Sequence, residues 1–162
     1  MADEKTLNNS FEIQIDDGRR RVPVRNLDGE EVGVFYFRPT DVDIITRYNE
    51  KLPEFEKIVE PLQDAGITAE GQGETDMDVA ALAEAKRRLF EIMDYIFGGN
   101  MSEAFFGTIN PFSPVNGDFY CLSALEAVGN FISVQFQSET DKFNAKVGKY
   151  TNRASRRAAR KA

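Results

Sequence analysis

Val32-Gly33-Val34-Phe35-Tyr36-Phe37-Arg38-Pro39-Thr40-Asp41-Val42-Asp43 is where this chain changes its hydrophobic period. The β-branched and aromatic residues from Val32 to Phe37 predict a strand, because such side chains suit a pleated, half-buried surface. Pro39 and Thr40 end it. Thr40 with Asp43 three residues on resembles a capping box, with Asp in place of the usual Glu, so a helix begins there. A sheet that hands over directly to helices predicts an α+β chain, mostly helical, with an N-terminal antiparallel β-meander or hairpin packed on an α-helical bundle.

Upstream of that stretch, residues 19–25 carry Val22 and Val24 on one face with Pro23 between them, which predicts an edge strand. Asn26-Leu27-Asp28-Gly29 turns the chain into the next strand. Further back, Phe11-Glu12-Ile13-Gln14-Ile15 alternates apolar and polar residues at period two and predicts one more strand, closed by Asp16-Asp17-Gly18. Residues 11–38 therefore predict a three-stranded meander, whose single apolar face needs a helical cover.

Downstream, Val42, Ile45 and Tyr48 or Leu52 fall on one helical face. Pro53 predicts the restart of a second helix carrying Phe55, Ile58, Val59 and Leu62, and Pro61 bends or ends it. These helices occupy residues 40–66, and the glycine-rich 67–76 reads as a linker. A helical part follows over residues 77–148. Asp76 and Asp78 open it at the positive end of a helix dipole. Leu82, Ala85, Leu89, Ile92, Met93 and Ile96 follow helical spacing, and Gly98-Gly99-Asn100 ends the run as a flexible C-cap. A short helical turn around Ser102 and Glu103 leads to the aromatic stretch Phe105-Phe106-Gly107-Thr108-Ile109-Asn110-Pro111-Phe112-Ser113-Pro114, read as a loop. The last helix is predicted from about 117 to 147, with Leu122, Leu125, Val128, Ile132, Phe136, Phe143 and Val147 as its stripe. At 1.5 Å per residue it is about 45 Å long, more than so small a domain needs for its own core, so part of it is expected to pack on another chain. Residues 11–148 thus form one domain, between a flexible start at 1–10 and a basic, disordered tail at 149–162.

Composition narrows the chemistry. The 162 residues contain no histidine and a single cysteine, Cys121, which excludes Ser-His-Asp and Cys-His catalysis, zinc sites of the usual ligands and internal disulfides. No apolar run approaches the 18 residues of a membrane span, and Met1-Ala2-Asp3-Glu4-Lys5 is not the start of a secretory signal. The two signs of charge are segregated: residues 142–162 carry eight of the 20 bases and none of the 27 acids, so an acidic body carries a basic tail. That balance argues against general nucleic-acid binding, which needs a basic face, except through the tail.

The candidate sites are few. Asp41 with Asp43, Asp76 with Asp78, and Glu30 with Glu31 stand at helix starts or after a turn, where capping and solvation account for them. No Gly-x-x-x-x-Gly-Lys loop or Gly-x-Gly-x-x-Gly turn is present, and no metal or cofactor is expected. Cys121 reads as a small core residue. The aromatic loop has two readings: Phe105, Phe106, Ile109 and Phe112 plug the base of the bundle, or they form an exposed patch for a partner. Ile132, Phe136 and Phe143 on the last helix are the other partner-binding candidates. Arg153, Arg156, Arg157, Arg160 and Lys161 make the tail a solubilising appendage, a contact for an acidic protein surface, or a contact for RNA.

The order of features resembles the small tail assembly chaperones of tailed bacteriophages of Gram-positive bacteria. The resemblance rests on the meander leading into Phe37-Arg38-Pro39-Thr40-Asp41, on Tyr95-Ile96-Phe97-Gly98-Gly99, on Phe105-Phe106-Gly107 with Asn110-Pro111-Phe112-Ser113, on Gly117-Asp118-Phe119-Tyr120, and on Tyr150-Thr151-Asn152-Arg153-Ala154 with Arg156-Arg157. It implies a non-catalytic protein without cofactors that self-associates. Its copies coat the long helical tape measure protein in the host cytoplasm and help recruit tail tube subunits, and they are absent from the mature virion. Many members of this class also have a longer form made by ribosomal frameshifting. The rival readings are a tail completion or connector subunit that stays in the virion, and a carboxylate-dependent enzyme, against which the acids stand at turns and helix starts.

Overall fold

The structure is a computed structural model that describes residues 11–65 and 79–161. The predicted flexible start at 1–10, the linker at 67–76, and Asp76 and Asp78 lie outside the described residues. The chain is a mostly helical α+β protein. Strands β1 (Arg20–Arg25) and β2 (Glu31–Phe37) form a hairpin, followed by helices α1 (Asp43–Ala65), α2 (Val79–Phe97) and α3 (Met101–Phe106), a second small hairpin of β3 (Pro114–Val115) and β4 (Asp118–Phe119), and helix α4 (Tyr120–Lys161). Among the described residues there are thus four helices and two two-stranded sheets.

β1 and β2 pair antiparallel, with Val22 opposite Phe35 and Val24 opposite Gly33. Phe35 and Phe37 turn inward and are buried, while Tyr36 between them is exposed, as a period-two strand requires. Their rings stack at 3.9 Å, and Phe97 meets both edge-on. The expected third strand is absent. Residues 11–15 join no sheet, and Phe11, Ile13 and Ile15 are exposed, so the meander is a hairpin.

The reason lies in the two edges of that hairpin. The Asn100 side chain occupies the outer edge of β2, accepting from the Tyr36 N–H at 2.8 Å and donating to the Val34 carbonyl at 2.9 Å. Val34 and Tyr36 therefore point away from β1, and their register partners Pro23 and Arg21 present the outer edge of β1. Pro23 has no N–H to offer an added strand there. One edge is filled and the other is interrupted where Pro23 lacks a donor.

α1 is one helix through Pro53 and Pro61, where a restart was expected. Both prolines are exposed, so the carbonyls they leave unbonded face water, while Phe55, Ile58, Val59 and Leu62 on the other side are buried. In its first turns the buried residue is Ile44, while of the face predicted to carry Val42, Ile45 and Tyr48 or Leu52 the first three are exposed and Leu52 packs half-buried against the core. α2 packs on α1 through Leu89, Ile92, Met93 and Ile96. At its end Asp94 accepts from the Ser102 N–H at 2.8 Å and its hydroxyl at 2.6 Å, so one carboxylate holds the start of α3 across the glycine turn.

α4 begins at Tyr120, because Asn116 and Gly117, both at positive φ, make the turn of the β3–β4 hairpin first. It then runs to Lys161, through the tail expected to be disordered. The packed first turns provide the costly nucleus, and Ala, Arg and Lys are good helix formers that propagate it. At about 1.5 Å per residue the helix is about 63 Å long. From Gln137 onward every described side chain on it is exposed, so its second half projects beyond the body. No helix among the described residues is long and apolar enough to cross a membrane.

Candidate partner-binding surface

The aromatic loop resolves into core. Phe106 is 5% exposed and stacks on Phe90, with Tyr120 edge-on at 5.7 Å. Phe112 is 2% exposed and meets Phe119 edge-on at 5.9 Å. Burial withdraws both rings from any partner surface. Phe105 and Ile109 are half-buried, Phe105 lying edge-on to Phe35. Large apolar side chains leave water wherever neighbouring elements offer cover, and here β2, α2 and the start of α4 all do.

Cys121 is fully buried, and burial pushes its thiol up to about 12. The thiolate is the reactive form, so native protein is expected to stay inert to Ellman's reagent at pH 8 and to react fully in guanidinium chloride. Rapid labelling of the folded chain would contradict the burial.

The sequence candidates on α4 fare differently. Ile132 and Phe136 are half-buried and Phe143 is 67% exposed. Together with Leu125 and Gly129 they follow steps of four, three, four and seven residues, which keeps them on one seam of the helix. Its first half forms one wall of an apolar groove of about 420 Å³, whose other wall is Ile45 and Tyr48 of α1 and whose floor includes Ile44 and Phe97. A Cβ at Gly129 would meet nothing within 4 Å, so the groove is open at that point to the level of the helix backbone.

An ion-paired clamp fixes the groove's geometry. Arg47 of α1 donates from Nε to the Ile96 carbonyl at the end of α2, at 2.8 Å, and from Nη2 to Asp41 Oδ2 at 2.9 Å. It satisfies a terminal carbonyl that the helix itself leaves unbonded. Burial pushes the Asp41 carboxyl up, but Arg47 and the Asp43 N–H outweigh it, and the group ends below its ordinary 3.8. The clamp holds the first turns of α1, which carry Ile45 and Tyr48, against the end of α2.

Sequence reasoning placed Ile132 on this surface but missed Ile45, Tyr48 and Gly129. Ile45 and Tyr48 carry the same periodicity as core residues. The available signal was Gly129, a helix-breaking residue inside an otherwise good helix, which often marks close approach by another backbone.

Of the tail candidates, Arg157 is exposed, and the side chains of Arg153, Arg156, Arg160 and Lys161 lie outside the described set. Among the described residues no three His, Cys, Asp or Glu side chains gather as a metal site would require. The groove between α1 and α4 offers mainly apolar area, with Glu126 as its one charged lining residue. Comparison with family models, with curated proteins and with solved structures returns no match for this chain.

Proposed function

We propose that this chain is a non-catalytic tail assembly chaperone of a tailed bacteriophage. On this reading it acts in the cytoplasm of the infected host, where it keeps the helical tape measure protein soluble and helps recruit tail tube subunits. One observation carries the reading beyond resemblance: the open apolar groove between α1 and α4, whose wall continues as a seam along the projecting helix. A coating protein needs a surface that takes an amphipathic helix by its apolar face and releases it later, and groove packing without buried ion pairs suits such exchange.

Co-expression with the tape measure protein of the same phage tests it, with co-purification and size analysis as readout. The expected result is a soluble complex with several copies per client. Ile45→Asp and Gly129→Leu, which charge and fill the groove, are expected to weaken client retention at least about tenfold. Neither should lower the unfolding temperature, since Ile45 is 62% exposed and a side chain at Gly129 meets open space. An insoluble client beside a free chain would overturn the reading in favour of a tail completion or connector subunit, which mass spectrometry of purified virions would detect.

A further inference from the structure

The projecting half of α4 is a long amphipathic helix whose base, at Gln135 and Glu139, borders a cavity with Asp16, Asp17, Arg20, Pro39 and Thr40 of the body, while Phe143 further along is 67% exposed. Phe136 and Phe143 stand seven residues apart, Tyr150 continues the spacing in sequence, and Glu139 and Lys146 occupy the other seam position between them. The stretch from Phe136 to Lys146 lines a shallow trough of about 460 Å³ along the helix. Helices in proteins owe most of their stability to packing of such a face, and this one runs about 25 residues beyond its last half-buried side chain at Phe136.

We propose that the projecting half of α4 pairs antiparallel with the same segment of a second copy of this chain. Charge selects both the occupant and the direction. A parallel pair would set Glu139 against Glu139 and Lys146 against Lys146, and would lay two segments, each holding eight bases and no acid, side by side. An antiparallel pair centred near Lys142 and Phe143 sets Glu139 of each copy beside Lys146 of the other. It also directs each basic segment toward the other copy's acidic body. The four phenylalanines then interleave around a two-fold axis, and the interface closes on itself, giving a dimer rather than a filament. Within its own chain Glu139 meets Lys142 Nζ at 3.4 Å and lies close enough to the Arg20 guanidinium to act on it, both exposed contacts weak enough to exchange. The interface residues named, Phe136, Glu139, Phe143 and Lys146, are not those of the groove, and the readout, self-association of the chain alone, is distinct from client retention.

Sedimentation equilibrium of the full chain tests it. The wild type is expected to sediment as a dimer of the 18.3 kDa chain. Because the two-fold axis repeats each contact, Glu139→Lys turns two attractions into two repulsions and is expected to raise the dimer Kd about tenfold or more. Glu139→Lys combined with Lys146→Glu should restore it, which no parallel pairing predicts. Phe143→Asp should give monomer with unchanged far-ultraviolet circular dichroism of the body. A wild type that is monomeric at the highest soluble concentration, a dimer indifferent to Glu139→Lys, or a double reversal that fails to restore the dimer would each overturn the proposal.

Discussion

Gly33→Ala is expected to lose about 3 kcal/mol or more of folding stability. A Cβ at Gly33 of β2 would stand 2.1 Å from the Ala104 carbonyl oxygen of α3, and 2.8 and 2.9 Å from its carbonyl carbon and Cα. These are backbone atoms, so no rotamer change relieves the clash, and strand and helix must separate. Separation opens the contact between β2 and α3 around Phe35, Met101 and Ala104. Gly99 makes the same demand from the other side, since its Cβ would lie 2.3 Å from the Tyr36 carbonyl oxygen. For a chain of this size the loss corresponds to a fall of roughly 6–12 °C in Tm. Gly129→Ala is the control: the added methyl meets open space, and removing glycine from a helix interior gains about 1 kcal/mol. An unchanged urea midpoint for Gly33→Ala would show that β2 and α3 do not approach so closely.

How much of this was legible in the sequence varied with the kind of physics involved. Local period was legible: the inward Phe35 and Phe37, the buried Leu89, Ile92 and Ile96, and the seam of the last helix all follow from spacing alone. Partnership was not. Phe11, Ile13 and Ile15 alternate as a strand should, but alternation describes a face and says nothing about a free edge, and Asn100 fills one edge while Pro23 interrupts the other. Asn100 acts on β2 across 64 residues of chain, beyond any local pattern. Proline in a helical pattern reads as a break when the burial opposite it is not visible in the sequence, as at Pro53. The Val115-Asn116-Gly117-Asp118 hairpin, by contrast, carries a readable Asn-Gly signal at the point where the last helix is predicted to start. The groove was the least legible feature, because its walls come from two helices distant in sequence, one of them held to the end of α2 by Arg47.

Phe112→Ala is expected to lower stability by about 3–5 kcal/mol, a large share of the 5–15 kcal/mol typical of a whole domain. The ring is 2% exposed and packs edge-on to Phe119 beneath the β3–β4 hairpin, so truncation removes its transfer energy and leaves a cavity. Phe143→Ala applies the same chemistry to a ring that is 67% exposed within its own chain. Its effect should come through association alone. Mass action then separates the two variants: the loss at Phe112 should be independent of protein concentration, whereas any loss at Phe143 should shrink as the wild type is diluted below its dimer Kd. Chemical unfolding at two concentrations a hundredfold apart measures both. A Phe112→Ala midpoint equal to wild type at both concentrations would return the aromatic loop to the surface, and with it the reading that these rings meet a partner.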